Sequence, residues 1–165
     1  MSEIALRRFV PTDSQWLVAR HQDLYARDEG FDESFGPLVA EILHDFCLDH
    51  DPACEQGWIA HRGDQRLGSI FCVRQGSQTA KLRLFLLTPE ARGQGLGKLL
   101  LRQCMNFARS AGYRDMQLWT HESHHAACAL YTAFGWQLLS SKPVHSFGQD
   151  LVEQSWGVQL VDETA

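Results

Sequence analysis

Apolar positions along this chain switch between helical spacings of three and four and the alternating spacing of a strand, and the switches divide it into short elements. Ile4 to Phe9 reads as a strand, closed by Pro11. From Asp13 to Arg27, Trp16, Leu17, His21, Leu24 and Tyr25 fall at helical spacings, with Thr12 or Asp13 placed to cap the start and Gly30 to end the helix. Pro37 suits the first turn of a second helix, whose stripe runs from Leu38, Val39 and Ile42 to Leu43, Phe46 and Cys47.

The middle of the chain predicts three strands, Gly57 to His61, Arg66 to Val73 and Lys81 to Leu87, separated by Arg62-Gly63-Asp64-Gln65 and Gln75-Gly76-Ser77-Gln78, which have turn composition. After Pro89 a glycine-studded loop enters an amphipathic helix from Leu96 to Ala111, ended by Gly112. A strand from Met116 to Thr120, a helix from Ser123 to Phe134, and closing strands from Trp136 to Leu139 and Trp156 to Val161 complete the chain. The order β-α-α-β-β-β-α-β-α-β-β predicts one α/β (α+β) domain over residues 1–165. Its sheet is mixed and mostly antiparallel, with helices on both faces. The crossover helix sets the strand ending at Leu87 parallel to the one ending at Thr120.

Composition narrows the function. The 165 residues carry 15 Lys+Arg against 20 Asp+Glu, a net charge of −5, without the cationic excess that nucleic-acid backbones attract. Small-molecule partners are expected, and no nucleic acid. No basic segment followed by an apolar run opens the chain, and no stretch approaches the ~20 apolar residues that span a bilayer, so the expectation is a cytoplasmic protein without a membrane partner. Cys47, Cys54, Cys72, Cys104 and Cys128 are odd in number and lack CxxC spacing, which reads as reduced thiols rather than a disulfide framework.

Arg92-Gly93-Gln94-Gly95-Leu96-Gly97-Lys98 lies directly after a strand and opens a helix. Free N–H groups at a helix start, approached over glycines, make an anion site, so a phosphate-bearing ligand is expected; the alternative is a tight turn with structural glycines. A Walker A loop would need Gly at Arg92 and Ser or Thr at Leu99, and a dinucleotide fingerprint would need Gly at Lys98. Both fail.

Arg92-x-x-Gly95-x-Gly97, preceded by Leu86-Leu87-Thr88-Pro89-Glu90, resembles the acyl-CoA loop of the GNAT acetyltransferase superfamily. Ala126 to Trp136, with Leu130-Tyr131, three residues, then Gly135-Trp136, resembles that family's second hallmark, in the expected order and spacing. The stretches Arg20-His21 through Tyr25 to Phe31-Asp32, Lys81 to Leu84 and His145 to Val152 are similar to the acetyltransferase half of proteins that fuse a MarR-type repressor to a GNAT domain. This chain has no room for the winged-helix half, so DNA binding is not carried over.

The resemblance implies the GNAT fold, with a splayed parallel strand pair, and acetyl-CoA as co-substrate. Pantetheine would meet backbone at Leu86 and Leu87, near Thr88 and Ala127. The pyrophosphate would meet backbone N–H groups of Arg92, Gly93, Gln94, Gly95, Leu96, Gly97 and Lys98. It implies transfer of an acetyl group to a primary amine of a small molecule or amino acid within a ternary complex. A non-catalytic acyl-CoA-binding module and a protein-lysine acetyltransferase are the alternatives. A homodimer is common in the family, though nothing in the sequence identifies an interface.

Tyr131 stands where the family keeps its general acid, and a phenol can protonate a departing thiolate; read from the stripe alone it is a packed core aromatic. Tyr25, Glu29 and Phe31 are expected to line the acceptor site, with a solvated acidic loop as the other reading of Glu29. Lys81 and Arg83 alternate within an apolar strand and share a face with Phe85, which makes Arg83 either a salt-bridge partner or a receptor for a substrate carboxylate. The segment from Ser140 to Gly148 is expected to shape the pocket, with His145 facing it. His121-Glu122-Ser123-His124-His125, followed by Cys128, lacks a second ligand pair at standard spacing, so no metal is expected.

Overall fold

The computed structural model describes residues 3–161, so the ends of the 1–165 span fall outside the described residues. Seven strands form one sheet: β1 (Ala5–Arg8), β2 (Gln56–Arg62), β3 (Gln65–Arg74), β4 (Thr79–Leu87), β5 (Asp115–His121), β6 (Gln137–Ser146) and β7 (Gln149–Gln159). Four helices, α1 (Ser14–Glu29), α2 (Phe35–Asp49), α3 (Leu96–Ser110) and α4 (His125–Ala133), occupy the connections. Strand order is β1-β2-β3-β4-β5-β7-β6, antiparallel throughout except for β4 and β5. None of these helices is long and apolar enough to cross a membrane.

Each sheet face has its own core. Leu96, Leu100, Cys104 and Ala108 of α3 and Tyr131 of α4 pack with Ala60, Ile70, Leu82 and Met116 on one side. Leu17 of α1 and Val39, Leu43 and Phe46 of α2 pack with Ile59 and Phe71 on the other. Of the face expected for α3 from its spacing, Leu96, Leu99, Leu100, Cys104, Phe107 and Ala108, four residues are buried, while Phe107 is half-buried and Leu99 exposed; Leu101 and Met105 are buried in addition. All five cysteines are free thiols, with Cys54, Cys72 and Cys104 inside the core.

Two irregularities in β4 position the site. The first is the short parallel pairing: Thr79, Ala80 and Lys81 pair with Asp115, Met116 and Gln117, and the strands then diverge. The second is a bulge. Ser69 pairs with Leu86 and Phe71 with Arg83, so Ile70 of β3 opposes both Leu84 and Phe85. Leu84 has φ of 50°, and its carbonyl accepts a hydrogen bond from Ser69 Oγ at 2.7 Å. The bulge resets the alternation, and the expectation that Arg83 and Phe85 share a face is corrected. Leu84 packs on the α1–α2 core and Phe85 on the α3–α4 core, while Arg83 lies on the α1–α2 side opposite Phe71.

The closing strands are longer than their sequence predicts. β6 and β7 form a hairpin whose two-residue turn, Phe147-Gly148, has φ of 54° and 76°, the signs of a type I′ turn. β6 is an exposed edge strand, and its Ser140-Ser141-Lys142-Pro143 has no period-two apolar signal. Asp13, expected as a helix cap, makes no cap bond to α1. Its carboxylate accepts instead from Arg7 at 2.8 Å, Arg66 at 2.9 Å and Val10 N–H at 2.9 Å, tying β1 and β3 to the start of α1.

Candidate active site

Where β4 and β5 diverge, a cleft of about 410 Å³ opens between the end of β4 and the start of α4. Phe85, Leu86 and Leu87 form one wall, Ala126, Ala127 and Leu130 another, and Asp28, Glu29 and Arg92 a third. Beyond it lies a chamber of about 170 Å³. Tyr25, Phe85, His124 and Ala127 line both cavities and form the passage between them.

The glycine loop leads into α3 beside the cleft, which its Arg92 lines. Gly95 precedes α3 in the left-handed region, with φ of 76°, a conformation glycine takes without a Cβ penalty. A Cβ on Gly97 would stand 3.2 Å from Leu130 Cδ2, so its absence brings the α3 start against α4. Among the described residues, the backbone N–H groups from Gly93 to Lys98 donate to no protein acceptor, whereas Arg92 N–H bonds Pro89 O and Leu99 N–H bonds Gly95 O. Six consecutive free donors at a helix start, in a glycine-rich turn, fit a di-anionic phosphate group.

The predicted loop residues differ in what they offer. Arg92 lines the cleft and is held by Asp28 at 3.1 Å. Gln94 is bonded on both sides, accepting from Arg62 and donating to Glu90 O, each at 2.7 Å, so its side chain braces the loop. Lys98 is exposed, and Leu96 and Thr88 are buried.

The chamber is made of side chains. His21, Tyr25, Phe31 and Phe35 come from α1, the α1–α2 loop and the start of α2; Trp119 and His121 come from β5 and Tyr131 from α4. The hairpin turn closes over it: Phe147 stacks on Phe31 at 4.8 Å and meets Phe35 edge-on at 5.0 Å. Asp32 N–H donates to Phe147 O at 2.9 Å, and the Gln149 amide donates to Gly30 O at 3.0 Å. His145, expected to face this pocket, does not. Its side chain is 69% exposed, paired with Asp150 at 2.9 Å, and lines neither cavity. Strand alternation turns it outward, and Phe147 at the turn is the residue that packs on the wall formed by Phe31 and Phe35.

Tyr131 is 3% exposed, packed near Phe85, Trp136 and Trp156. Burial, then the neighbouring Tyr25, raise its phenol well above the ordinary tyrosine value, so it is protonated at neutral pH. Burial and the charges of Glu29 and Asp28 likewise push Tyr25 up to about 12.

His124 was visible in the sequence only as part of a histidine cluster, and its place is the main addition the structure makes. Nε2 stands 3.5 Å from the Glu29 carboxylate and Nδ1 lies 3.0 Å from Thr120 Oγ1. Burial holds its pKa below the ordinary histidine value, opposed by the charge of Glu29, so the ring is neutral at pH 7. The spacing carried one signal: His124 precedes Tyr131 by seven residues, two turns along one helix face. No group of three His, Cys, Asp or Glu side chains is placed to hold a metal ion among the described residues.

The chain is similar to known proteins in sequence and in fold. Over 85 residues, 48% of the chain, it is 35% identical to N-acetyltransferase family 8 member 2 of Rattus norvegicus, and the match spans 38% of that protein. The chain thus covers well under half the length of such relatives. At 17% identity it superposes with a TM-score of 0.75 on an acetyltransferase of Salmonella typhimurium solved with its cofactor acetyl-CoA, covering 99% of this chain and 98% of that one. The ribosomal-protein-S18-alanine N-acetyltransferase of Escherichia coli gives 0.72 at 14% identity, covering 99% of both chains. Residues 17–136 match the acetyltransferase (GNAT) family, and with the splayed β4–β5 pair and the donor-rich α3 start this chain belongs to that family.

Proposed function

We propose that this protein transfers an acetyl group from acetyl-CoA to the primary amine of a small molecule, both substrates being bound at once. The observation that carries this reading is the adjacency of two cavities that share Tyr25, Phe85, His124 and Ala127: a cleft with Arg92 and the donor-rich α3 start beside it, and a separate chamber lined by Tyr131. A pyrophosphate on the α3 N-terminus, with Arg92 beside it, sets pantetheine along Leu86 and Leu87 and brings the thioester to the passage. Acetyl-CoA supplies an activated acyl carbon; the chain supplies position and protons.

An alkylammonium must lose a proton before it can attack. Glu29 and the neutral ring of His124 together hold one negative charge and accept that proton, Thr120 keeping the imidazole oriented. As the new C–N bond forms, the C–S bond breaks; Tyr131 gives its proton to the sulfur, and the second proton that the acylated nitrogen must shed returns to the Tyr131 oxygen, leaving neutral amide, free thiol and neutral phenol. A raised phenol pKa does not oppose this step, because the dry surroundings that raise it raise the thiol's as well.

Isothermal titration with acetyl-CoA, followed by CoA release across an amine panel, tests the reading. Micromolar binding with release only in the presence of an amine is expected. Absence of binding refutes the acyl-CoA site, and binding without release under any amine refutes the transfer.

A further inference from the structure

Arg83 on the chamber floor and its neighbour Lys81 form no ion pair with a carboxylate among the described residues. Arg83 forms no ion pair and no side-chain hydrogen bond among the described residues, although it is half-buried in the strand that forms the chamber floor. Burial lowers its pKa, the charge of Asp45 opposing the shift. Lys81, two residues earlier on the same face, sits over the Trp119 ring at 4.6 Å, and burial and the like charge of Arg83 lower its pKa too. Elsewhere arginines of comparable burial are matched: Arg7 and Arg66 share Asp13. Desolvating two neighbouring cations without a counter-ion is unfavourable, and an anion arriving from solution would relieve it.

A second polar group of the chamber is also unpaired among the described residues. His21 is 2% exposed and lines the chamber. Its Nδ1 lies 2.7 Å from Leu17 O, a group that can only accept, so the proton is on Nδ1. Burial brings its pKa down to about 4, leaving the ring neutral and Nε2 a buried acceptor without a partner. The remaining walls are aromatic and aliphatic and enclose about 170 Å³, room for a compact molecule.

Resting on the acyl-transfer reading, we propose that the acceptor is a compact amino acid or aminophosphonate, whose anionic oxyacid group is held by Arg83 while its amine faces Glu29 and His124 at the passage. The aromatic and aliphatic walls take the apolar body. Asp45, across the groove between α2 and β4, competes for Arg83 and moderates the anion's hold.

Matched pairs differing only in the anionic group test this: phenylalanine against phenethylamine, methionine against 3-(methylthio)propylamine, and alanine and 1-aminoethylphosphonate against ethylamine. Acetyl-CoA-dependent kcat/KM and calorimetric affinity for the CoA-loaded protein are measured on each. The expected result is a preference of about 10- to 100-fold for the anionic member of at least one pair, the range for a hydrogen bond to a charged group. Arg83→Gln should collapse that preference, Arg83→Lys should restore part of it, and Asp45→Asn should increase it. The alanine and phosphonate arms identify which oxyacid is held. Equal affinity within every pair, or a preference that survives Arg83→Gln, overturns the proposal. Selective binding of the anionic member without CoA release keeps the ligand class and refutes the acyl-transfer reading.

Discussion

The two cavities that meet at Tyr25 and His124 are built from different materials. The cleft is a backbone site: free N–H groups of residues 93–98, two strand residues at the end of β4, and a glycine in the left-handed region. The chamber is a side-chain site, with aromatic and imidazole rings drawn from α1, the α1–α2 loop, β5, α4 and the β6–β7 turn. A backbone site recognises whatever is common to every reaction of its kind, because every chain has the same N–H groups. A side-chain site is free to change residue by residue, and acceptor specificity therefore belongs in the chamber.

If that division holds, variants should separate binding of the common substrate from turnover of the particular one. The largest expected effect is at Tyr131→Phe. Removing the phenolic proton should cut kcat by about 10²- to 10⁴-fold while calorimetry still shows acetyl-CoA binding. Weak acetyl-CoA binding by this variant would mean that Tyr131 supports the cleft rather than the chemistry. Gly95→Asp is the converse case. A carboxylate among donors arranged for an anion should weaken acetyl-CoA binding about 100-fold, and an unchanged titration would show that the phosphate lies elsewhere.

The third effect is on stability and belongs to the chamber alone. His21 is held near pKa 4 by burial, against about 6.5 in the unfolded chain, so between those values the unfolded state binds more protons. Stability from this group is complete above pH 6.5 and is lost progressively toward pH 4, by about 2–3 kcal/mol. Denaturant midpoints at pH 7 and 4.5 should converge in His21→Leu relative to the parent protein. The smallest effect is at Phe147→Ala, which opens the chamber without touching the loop. The acceptor KM should rise about tenfold and acetyl-CoA affinity should hold, since only apolar area against the acceptor side is lost.

Legibility follows the same line. The glycine loop, the Leu130-Tyr131 helix and the α3 stripe are local patterns, and the structure builds the elements that the spacing predicts. The bulge at Leu84 is invisible to a reading that assumes strict alternation, and it moves Phe85 away from the face of Arg83. His145 was misplaced for a related reason. The polar edge strand β6 has no apolar rhythm to show where it runs, and only the hairpin register reveals that Phe147 turns inward and His145 outward.

By itself the sequence determined the elements, their order, the parallel crossover and an anion-receptive turn at the start of α3, because each depends on residues within a few positions of one another. The tertiary structure alone decided that Glu29 meets His124, that Phe147 packs over Phe31, and that Arg83 lines the chamber with no ion pair among the described residues. Those contacts join segments that touch only after the sheet has formed. Their energies depend on burial and distance, and neither quantity exists until the chain has folded.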